Sequence, residues 1–423
     1  MKAAVLGNLI ISRESKRFFS NFLSLGILQG ANYIFPLITL PYLVRIIGAE
    51  KFGLLAFATT TITYFVIITD FGFNLSATRE ISINRDNKKK IIEIFSAVFF
   101  IKIILLFFAF FLLTLLIIFF QKFKKDALVY FLTFGTVVGQ VLFPIWFFQG
   151  MEKMKYITFL NIFYKSIFTF SIFVFVKEPN DYLLVPVLTS LGFIISGIFA
   201  LFIIKKNFQV WLQMVSFCTV KYYFFDSCQY FLSRISVSIY TSSNIFVLGL
   251  FTNNVIVGYY SIGEKIYQAL QGLYNPLITA LYPLVAKEKN VSFFKKIFFS
   301  VAFFNIFVVI LFFFKSSDIL FFLFKLNELK IINEILQILL VSSLFVVPSV
   351  LLGYPFLGAL GKSKYANMSV IFGSIVHIIL LCTIGFLGLI SGVTVALSVL
   401  FTETCVLFYR LFYSKRLGLW ERQ

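Results

Sequence analysis

Residues 103–120 read IILLFFAFFLLTLLIIFF, a run of 18 residues without a charged side chain. A helix of about 20 apolar residues is long enough to cross the hydrocarbon core of a lipid bilayer. A second run of the same length, residues 297–314, reads IFFSVAFFNIFVVILFFF and also carries no charge. Both stretches therefore predict membrane-spanning helices.

The composition of the whole chain agrees with this prediction. Of its 423 residues, 60% are hydrophobic and only 13% are charged, whereas an average soluble domain carries roughly 25% charged residues. Too few charged residues are present to cover the surface of a soluble protein of this length. We therefore exclude a soluble enzyme, a secreted disulfide scaffold and a disordered tail, and predict an all-α polytopic membrane protein.

Twelve membrane spans are predicted, and their even number places both termini on the same side of the membrane. The spans are residues 18–47, 52–78, 91–120, 127–149, 156–176, 183–204, 222–250, 256–285, 297–314, 332–360, 365–388 and 392–413. Cytoplasmic loops are richer in lysine and arginine than outer loops. With the N-terminus inside, the cytoplasmic segments hold 24 of these residues and the outer loops hold eight. We therefore expect a multi-pass membrane protein with both termini cytoplasmic.

Two further classes of function are excluded. The net charge of +19 does not indicate a nucleic-acid partner, because the basic residues form short clusters between apolar runs rather than one basic face. The sequence also contains no Walker loop, no zinc-ligand spacing and no GxSxG elbow. We expect neither enzymatic activity nor a cofactor.

The domain organisation is predicted from a central connection and a weak internal repeat. Residues 205–221 form the longest connection, and their apolar residues recur at near-helical spacing, which predicts an interfacial amphipathic helix. This linker separates an N-terminal six-helix lobe, 1–204, from a C-terminal six-helix lobe, 222–423. Residues 43–58 align with residues 248–263 at an offset of 205, which places Gly53 over Gly258. Two such lobes around a central cavity suit alternating access.

Proline residues predict bent helices within the lobes. Pairs of prolines lie five to seven residues apart in spans one, eight and ten: Pro36 and Pro41, Pro276 and Pro283, and Pro348 and Pro355. Each proline removes a backbone hydrogen bond and bends its helix. Proline is also commoner in membrane helices than in soluble ones. The pairs are therefore either bending points or part of the ordinary proline content of membrane helices.

Ionisable residues inside the predicted spans are the candidate functional groups. Each costs at least about 2.5–3.5 kcal/mol at a helix centre unless it faces a wet cavity or a partner. The cations are Lys102, Lys165, Arg234 and Lys265 near mid-depth, with Arg45 near the outer end of span one. They predict a cationic substrate-binding cavity. The alternative for Arg45 and the lysines is that their long side chains reach the membrane surface.

Fewer acidic residues lie within the spans, and these are candidates for ion coupling. Glu264 and Glu403 lie near mid-depth, and Asp70 lies toward the cytoplasmic end of span two. His377 is the only histidine, and with Glu403 on the next span it is a candidate proton carrier. Alternatively, His377 is a packing residue and Glu264 only neutralises a nearby cation.

The balance of these charges predicts an anionic substrate. Five basic residues face two central carboxylates, and a cavity with surplus positive charge attracts anions. Lysine and arginine hold phosphate oxygens through charge-assisted hydrogen bonds. Polar residues in the spans could contact the hydroxyl groups of a sugar. The candidates are Asn32, Tyr33, Tyr64, Asn244 and Tyr267.

Two stretches resemble a known family of membrane proteins. Residues 29–82, QGANYIFPLITLPYLVRIIGAEKFGLLAFATTTITYFVIITDFGFNLSATREIS, resemble the opening of Wzx-type O-antigen flippases. Residues 257–288, VGYYSIGEKIYQALQGLYNPLITALYPLVAKE, are similar to the matching segment of the second lobe. These flippases belong to the polysaccharide-transporter branch of the multidrug/oligosaccharidyl-lipid/polysaccharide exporter superfamily.

The resemblance implies a fold, a cargo and a set of charged positions. It implies two six-helix bundles in a V around a cationic cavity. It implies undecaprenyl-pyrophosphate-linked oligosaccharide as cargo and antiport of protons or Na+. Arg234, Lys265 and Glu264 match charges of the family in spans seven and eight, whereas Asn244 stands where many relatives have an acidic residue.

The expected function is therefore that of a flippase. It would move lipid-linked O-antigen repeat units from the cytoplasmic to the periplasmic leaflet by alternating access. Its expected partners are membrane lipid and the polymerase and chain-length regulator of the same pathway. The alternatives are a cation-coupled multidrug exporter of the same superfamily and an O-antigen polymerase, which usually has a large outer loop with arginines.

Overall fold

The computed structural model describes residues 2–325 and 329–420, with side chains for residues 26–231, 235, 242–287, 289–325 and 329–420. Every regular element in these ranges is helical. The α-helices are α1 (Lys2–Asp70), α2 (Phe73–Ile83), α3 (Lys88–Phe119), α4 (Gln121–Lys124), α5 (Ala127–Leu142), α6 (Ile145–Gly150), α7 (Met154–Phe175), α8 (Leu184–Ile203), α9 (Phe217–Phe251), α10 (Asn254–Gly272), α11 (Asn275–Glu288), α12 (Val291–Phe324), α13 (Leu329–Leu351), α14 (Ser363–Phe386) and α15 (Gly392–Arg416). A 3-10 helix covers Pro179–Leu183, and π-helical segments cover Ile204–Phe208 and Leu352–Gly358.

The helices confirm the prediction of an all-α polytopic membrane protein. Within the described residues, nine helical segments are long and apolar enough to cross a membrane. The first of them, Gly26–Ile83, covers predicted span 52–78 and residues 26–47 of predicted span 18–47, and a break at Gly48 (φ 76°, ψ 166°) separates the two. Helices α9, α10 and α11 cover predicted spans seven and eight, and the described residues Ser242–Phe251 at the end of α9 form a shorter apolar segment.

One compact unit of the structure consists of Met1–Phe35 and Thr61–Ile235. Its core contains a cluster of aromatic side chains on α6, where Trp146, Phe147 and Phe148 are fully buried. Helices α5 and α8 lie against each other, and a Cβ atom at Gly139 would come within 2.5 Å of the backbone of Phe193. Small residues at such crossings allow membrane helices to approach closely.

The other compact unit consists of Pro36–Thr60 and Ser236–Gln423. In this unit the two copies of the sequence repeat contact each other through their aligned glycines. A Cβ atom at Gly53 would lie 1.8 Å from the carbonyl oxygen of Asn254, and one at Gly258 would lie 2.1 Å from that of Ala49. Each copy thus presents its glycine to the backbone of the other. The predicted lobe boundaries at 204 and 222 stay a prediction.

The helix bends agree with the proline prediction in span ten. After α13, which contains Pro348, the chain continues as the π-helical segment with Pro355 and a non-helical residue, Gly353 (φ −67°, ψ −117°). In span one the backbone break lies at Gly48, seven residues after Pro41. Glycine at this position has the positive φ that other residues rarely adopt.

The prediction of an amphipathic helix over residues 205–221 is wrong. A π-helical turn ends at Phe208, Gln209 is left-handed (φ 53°, ψ 41°), and residues 209–216 have no regular structure. This segment bonds to α3 instead: Lys88 Nζ donates to Gln209 Oε1 at 2.6 Å, and the Gln213 amide donates to Ser96 Oγ at 2.9 Å. These contacts replace the backbone bonds that a helix would have made.

Candidate functional site

A polar cavity lies among the helices of the unit formed by Met1–Phe35 and Thr61–Ile235. Its volume is about 250 Å³. Helices α1, α2, α3, α5 and α7 all contribute to its lining. The polar residues of the lining are Asn32, Thr69, Asp70, Asn74, Lys102, Gln140, Asn161, Tyr164 and Lys165. We call this site the polar cavity.

Local backbone geometry brings Asp70 and Asn74 to the same cavity. Helix α1 ends at Asp70, and α2 begins at Phe73. Between them, Phe71 and Gly72 adopt positive φ angles of 45° and 81°. These left-handed residues turn the chain, so the last residue of α1 and the first turn of α2 line one space.

Lys102 and Asp70 form a buried ion pair at the cavity. Only 4% of Lys102 and 8% of Asp70 are exposed, and Lys102 Nζ lies 3.8 Å from Asp70 Oδ1. The other carboxylate oxygen, Asp70 Oδ2, is buried and has no hydrogen-bond partner among the described residues. A buried polar atom without a partner carries a desolvation cost, and here the atom belongs to a residue that lines the cavity. Its capacity to accept a hydrogen bond is therefore unused among the described residues.

Lys165 supplies the second cation of the polar cavity. Its ammonium group donates to Asn32 Oδ1 and lies 6.0 Å from the centroid of the Tyr164 ring. Helices α1 and α7 are thereby joined across the cavity. Two lysines and one aspartate leave the lining with a surplus of one positive charge.

The polar cavity has the chemistry to bind a phosphorylated sugar. Ammonium groups form strong hydrogen bonds to phosphate oxygens. The amides of Asn74, Gln140 and Asn161 offer both donors and acceptors, which sugar hydroxyl groups need. Such a combination inside a bundle of membrane helices indicates a substrate or ion pathway.

The structure brings together four of the residues predicted from the sequence as site residues. Lys102, Lys165, Asp70 and Asn32 all line the polar cavity. Tyr33 and Tyr64 belong to the same unit but are not among the cavity's lining residues in the described part of the chain. Tyr33 accepts a hydrogen bond from Gln29 Nε2 at 3.3 Å, and Tyr64 is half-buried.

Arg45 has a structural partner in the unit that contains Pro36–Thr60. Its Nε donates to the Leu323 carbonyl at 2.7 Å, and its Nη2 donates to the Phe322 carbonyl at 2.6 Å. These carbonyls belong to the last turn of α12, whose C-terminal end attracts a positive charge. The contacts account for Arg45 as a helix cap.

The remaining predicted residues lie on α9, α10, α14 and α15. His377 is buried, its Nε2 lies 2.8 Å from Asn244 Oδ1, and its Nδ1 lies 3.1 Å from Thr402 Oγ1. Glu403, the residue that follows Thr402, is half-buried. Three helices thus meet at the histidine, and the role of His377 and Glu403 in ion coupling stays a prediction.

Two neighbours on α10 differ in their exposure. Glu264 is buried and Lys265 is exposed, while Tyr267 is half-buried. The side chain of Arg234 lies outside the described residues. The roles predicted for these four residues therefore stay predictions.

Gln140, Asn161 and Arg410 are among the polar residues whose place was not predicted from the sequence. Gln140 and Asn161 line the polar cavity, and a single amide within an apolar run was the signal that could have identified each. Arg410 was counted with the cytoplasmic basic residues. The structure buries it on α15, where Nε donates to Ser369 Oγ at 2.8 Å and Nη1 donates to the Ser349 carbonyl at 2.6 Å.

Sequence comparisons identify similar proteins. The family model described as "Polysaccharide biosynthesis protein" matches residues 18–289. A "Putative O-antigen transporter" of Escherichia coli (strain K12) is 32% identical over 266 residues, which are 63% of this chain and 64% of that protein. A protein of the same name from Shigella dysenteriae is 27% identical over 92% of this chain and 98% of its own length. The chain thus spans somewhat less than two thirds of the first relative and nearly all of the second.

Structural comparisons identify the fold. The lipid II flippase MurJ in an inward closed conformation superposes with a TM-score of 0.66 at 14% identity, covering 94% of this chain and 87% of MurJ. An inward-facing multidrug resistance MATE family transporter of the MOP superfamily gives a TM-score of 0.61 at 12% identity, covering 91% and 95% of the two chains. At these identities the likeness establishes the fold alone. It is the fold of the superfamily that the sequence resemblance named.

Proposed function

Because the chain belongs to the polysaccharide biosynthesis protein family, we propose that it is a flippase for lipid-linked O-antigen repeat units. Its substrate is an undecaprenyl-pyrophosphate-linked oligosaccharide, which it moves from the cytoplasmic to the periplasmic leaflet of the inner membrane by alternating access. Two relatives bear the name of O-antigen transporters, and their similarity to this chain supports the proposal. The protein has no enzymatic role in this proposal.

The observation that carries the proposal is the presence of two lysines in a polar cavity among apolar helices. Burying a lysine in a membrane helix is costly, and α3 and α7 each place one at the cavity. The diphosphate of the substrate offers several negative oxygens to these ammonium groups. The amides and the free Asp70 oxygen then bind hydroxyl groups of the first sugars.

Ion coupling would supply the energy for the transport cycle. In this proposal Asp70, Glu264, His377 and Glu403 bind protons or Na+ at different stages. Asp70 is the best supported of the four, because it lines the cavity, its Oδ2 has no partner among the described residues and its Oδ1 faces Lys102. A cation bound there competes with Lys102 and thereby links ion binding to substrate binding.

A polymerase and a chain-length regulator use the flipped unit next.

Replacing the cavity lysines tests the proposal. We expect Lys102→Gln and Lys165→Gln each to reduce surface O-antigen, and the double variant to abolish it, because the lost charge-assisted contacts are worth roughly 1.5–3 kcal/mol each. The measurement is electrophoresis of lipopolysaccharide from a strain whose own flippase gene is deleted. Immunoblots of the membrane fraction verify the amount of protein.

Lys315→Gln is the matched control, because Lys315 is 63% exposed and pairs with Asp318 on the surface of α12. This variant should give normal O-antigen. Normal O-antigen in the Lys102/Lys165 double variant as well would contradict the role of the cavity.

A multidrug exporter is the second candidate, favoured by the structural likeness to the MATE transporter. Cationic drugs suit a cavity with surplus negative charge, whereas this lining carries surplus positive charge. Drug susceptibility of a deletion strain separates the two functions. Sensitivity to cationic drugs with normal O-antigen would favour the exporter.

A further inference from the structure

An apolar groove lies in the same unit as the polar cavity, between α3 and the beginning of α9. Its volume is about 310 Å³. Its lining includes Ile101, Ile104 and Leu105 from α3, and Phe217, Lys221 and Phe225 from α9. Phe217 is 79% exposed, and Ile104 and Phe225 are each 62% exposed. We call this site the α3–α9 groove.

One cation lines this otherwise apolar groove. Lys221 is exposed and has neither an ion pair nor a hydrogen bond with any described residue. It is also the single charged residue of the groove lining within the described part of the chain. An unpaired ammonium group beside exposed phenylalanine and isoleucine side chains is complementary to a ligand with an anionic group and a long apolar chain.

The groove and the polar cavity lie on two faces of the same turn of α3. Lys102 lines the cavity, and its neighbours Ile101, Ile104 and Leu105 line the groove. Successive residues of a helix are rotated by about 100°, so one turn can present different faces to two sites. A lipid held in the groove therefore contacts the turn of α3 that also supplies Lys102 to the cavity.

We propose that the α3–α9 groove binds the apolar chain of the phosphorylated lipid that the protein transports, with its phosphate against Lys221. The proposal rests on the proposed flippase function and adds a docking site outside the polar cavity. The apolar chain of the lipid packs on the exposed side chains of Ile104, Phe217 and Phe225. Contact with a hydrocarbon is favourable for such side chains, whereas contact with water is costly.

A second groove in the other unit supplies a matched control. It has a volume of about 580 Å³ and is lined by residues of α13, α14 and α15, most of them apolar, including Phe345, Ile384 and Phe401. Its lining contains no charged residue in the described chain. Nothing in this second groove selects a phosphorylated lipid over any other acyl chain.

Photo-crosslinking identifies the occupant of the α3–α9 groove. A benzophenone amino acid replaces Phe225 in the full-length protein, and in a parallel variant it replaces Phe401. The cells synthesise lipid-linked repeat units, and the adducts are analysed by mass spectrometry. We expect the Phe225 adduct to have the mass of the polyprenyl diphosphate sugar, and this adduct to disappear in a strain that lacks the first glycosyltransferase of the pathway. Phospholipid alone at both positions, or no adduct at Phe225, would overturn the proposal.

Two substitutions measure the contribution of the groove to transport. We expect Lys221→Gln and Ile104→Trp each to lower surface O-antigen at least about tenfold at normal protein level. Lys221→Gln removes the charged contact to the phosphate, and Ile104→Trp fills the groove. Phe401→Trp and Lys315→Gln should leave O-antigen unchanged. Normal O-antigen in both groove variants would refute the docking site.

Complementation by the wild-type protein distinguishes failure of the docking site from failure of the flippase function. If wild-type protein restores O-antigen to the deletion strain and the groove variants do so equally well, the docking site fails and the flippase function stands. If wild-type protein does not restore O-antigen, the flippase function itself fails.

Discussion

Lys102 and Asp70 form a buried ion pair, and burying either charge without the other would cost free energy. Removing one member of a buried ion pair leaves the other without compensation and typically costs about 3–5 kcal/mol, whereas apolar replacement of both is often neutral. Both residues are more than nine-tenths buried. Stability and transport can therefore be separated at this pair.

We expect Asp70→Leu to lower the melting temperature of the purified protein in detergent, because Lys102 loses its partner. The double variant Asp70→Leu/Lys102→Met should recover most of the melting temperature. It should not recover surface O-antigen, because the cavity then lacks both charged groups. Recovery of O-antigen together with stability would indicate that the pair is purely structural.

Individual residues differ in how far the sequence could predict their place. Lys102, Lys165 and Asp70 could be predicted, because a charge within an apolar span is costly and indicates a polar site. Arg45 could not be assigned to the end of α12, because its partners Phe322 and Leu323 are more than 270 residues away in the chain. Arg410 looked cytoplasmic because other basic residues follow it closely, and only tertiary packing revealed its serine partners.

At the scale of the helices, the two copies of the sequence repeat contact each other so closely that neither aligned glycine can be replaced without moving the backbone. Gly53 and Gly258 each lie against the backbone of the other copy, at distances that leave no room for a side chain. A backbone atom cannot move aside as a flexible side chain can. Overpacking of a well-packed core typically costs about 1–3 kcal/mol.

We expect Gly53→Ala to lower the melting temperature and the amount of folded protein in the membrane. The matched control is Gly30→Ala, because both glycines lie in α1 but an added Cβ atom at Gly30 would meet nothing within 4 Å. Alanine has the higher helix propensity by roughly 0.8–1.0 kcal/mol, so the control should be neutral or slightly stabilising. Equal melting temperatures for the two variants would contradict the close contact.

The bend after α13 also depends on packing that the sequence did not reveal. The prolines predicted a bend, and the non-helical Gly353 lies between them. Arg410 donates to the carbonyl of Ser349, four residues before Gly353, and a Cβ atom at Gly353 would lie 3.0 Å from Arg410 Nη1. The buried arginine thus satisfies a carbonyl at the bend.

At the scale of the whole molecule, hydropathy predicted the helices but carries no information about how they group. Long apolar runs are sufficient to predict membrane helices, because a chain inside the bilayer finds no water and must form its backbone hydrogen bonds within the helix. They do not determine which helices pack together, and residues 36–60 belong to the same compact unit as residues 236–423. The amphipathic helix was mispredicted at 205–221 because near-helical spacing of apolar residues also occurs in a segment that bonds to α3.

The orientation in the membrane gives the last prediction, because it depends on the charge distribution of the entire chain. The predicted cytoplasmic segments hold 24 lysines and arginines, with the buried Arg410 included, and the outer loops hold eight, and this excess should keep both termini inside. The cluster of Lys122, Lys124 and Lys125 between α3 and α5 opposes this orientation locally.

We expect alkaline phosphatase fused after Asp126 to be active, since this enzyme folds with disulfides outside the cytoplasm. A green fluorescent protein fused to the C-terminus should fluoresce. As a control, phosphatase fused after Asp86, in the predicted cytoplasmic loop, should be inactive. Inactive phosphatase after Asp126 would mean that the local cluster outweighs the excess of basic residues in the cytoplasmic loops. Residues 103–120 would then fail to cross the membrane in the predicted direction.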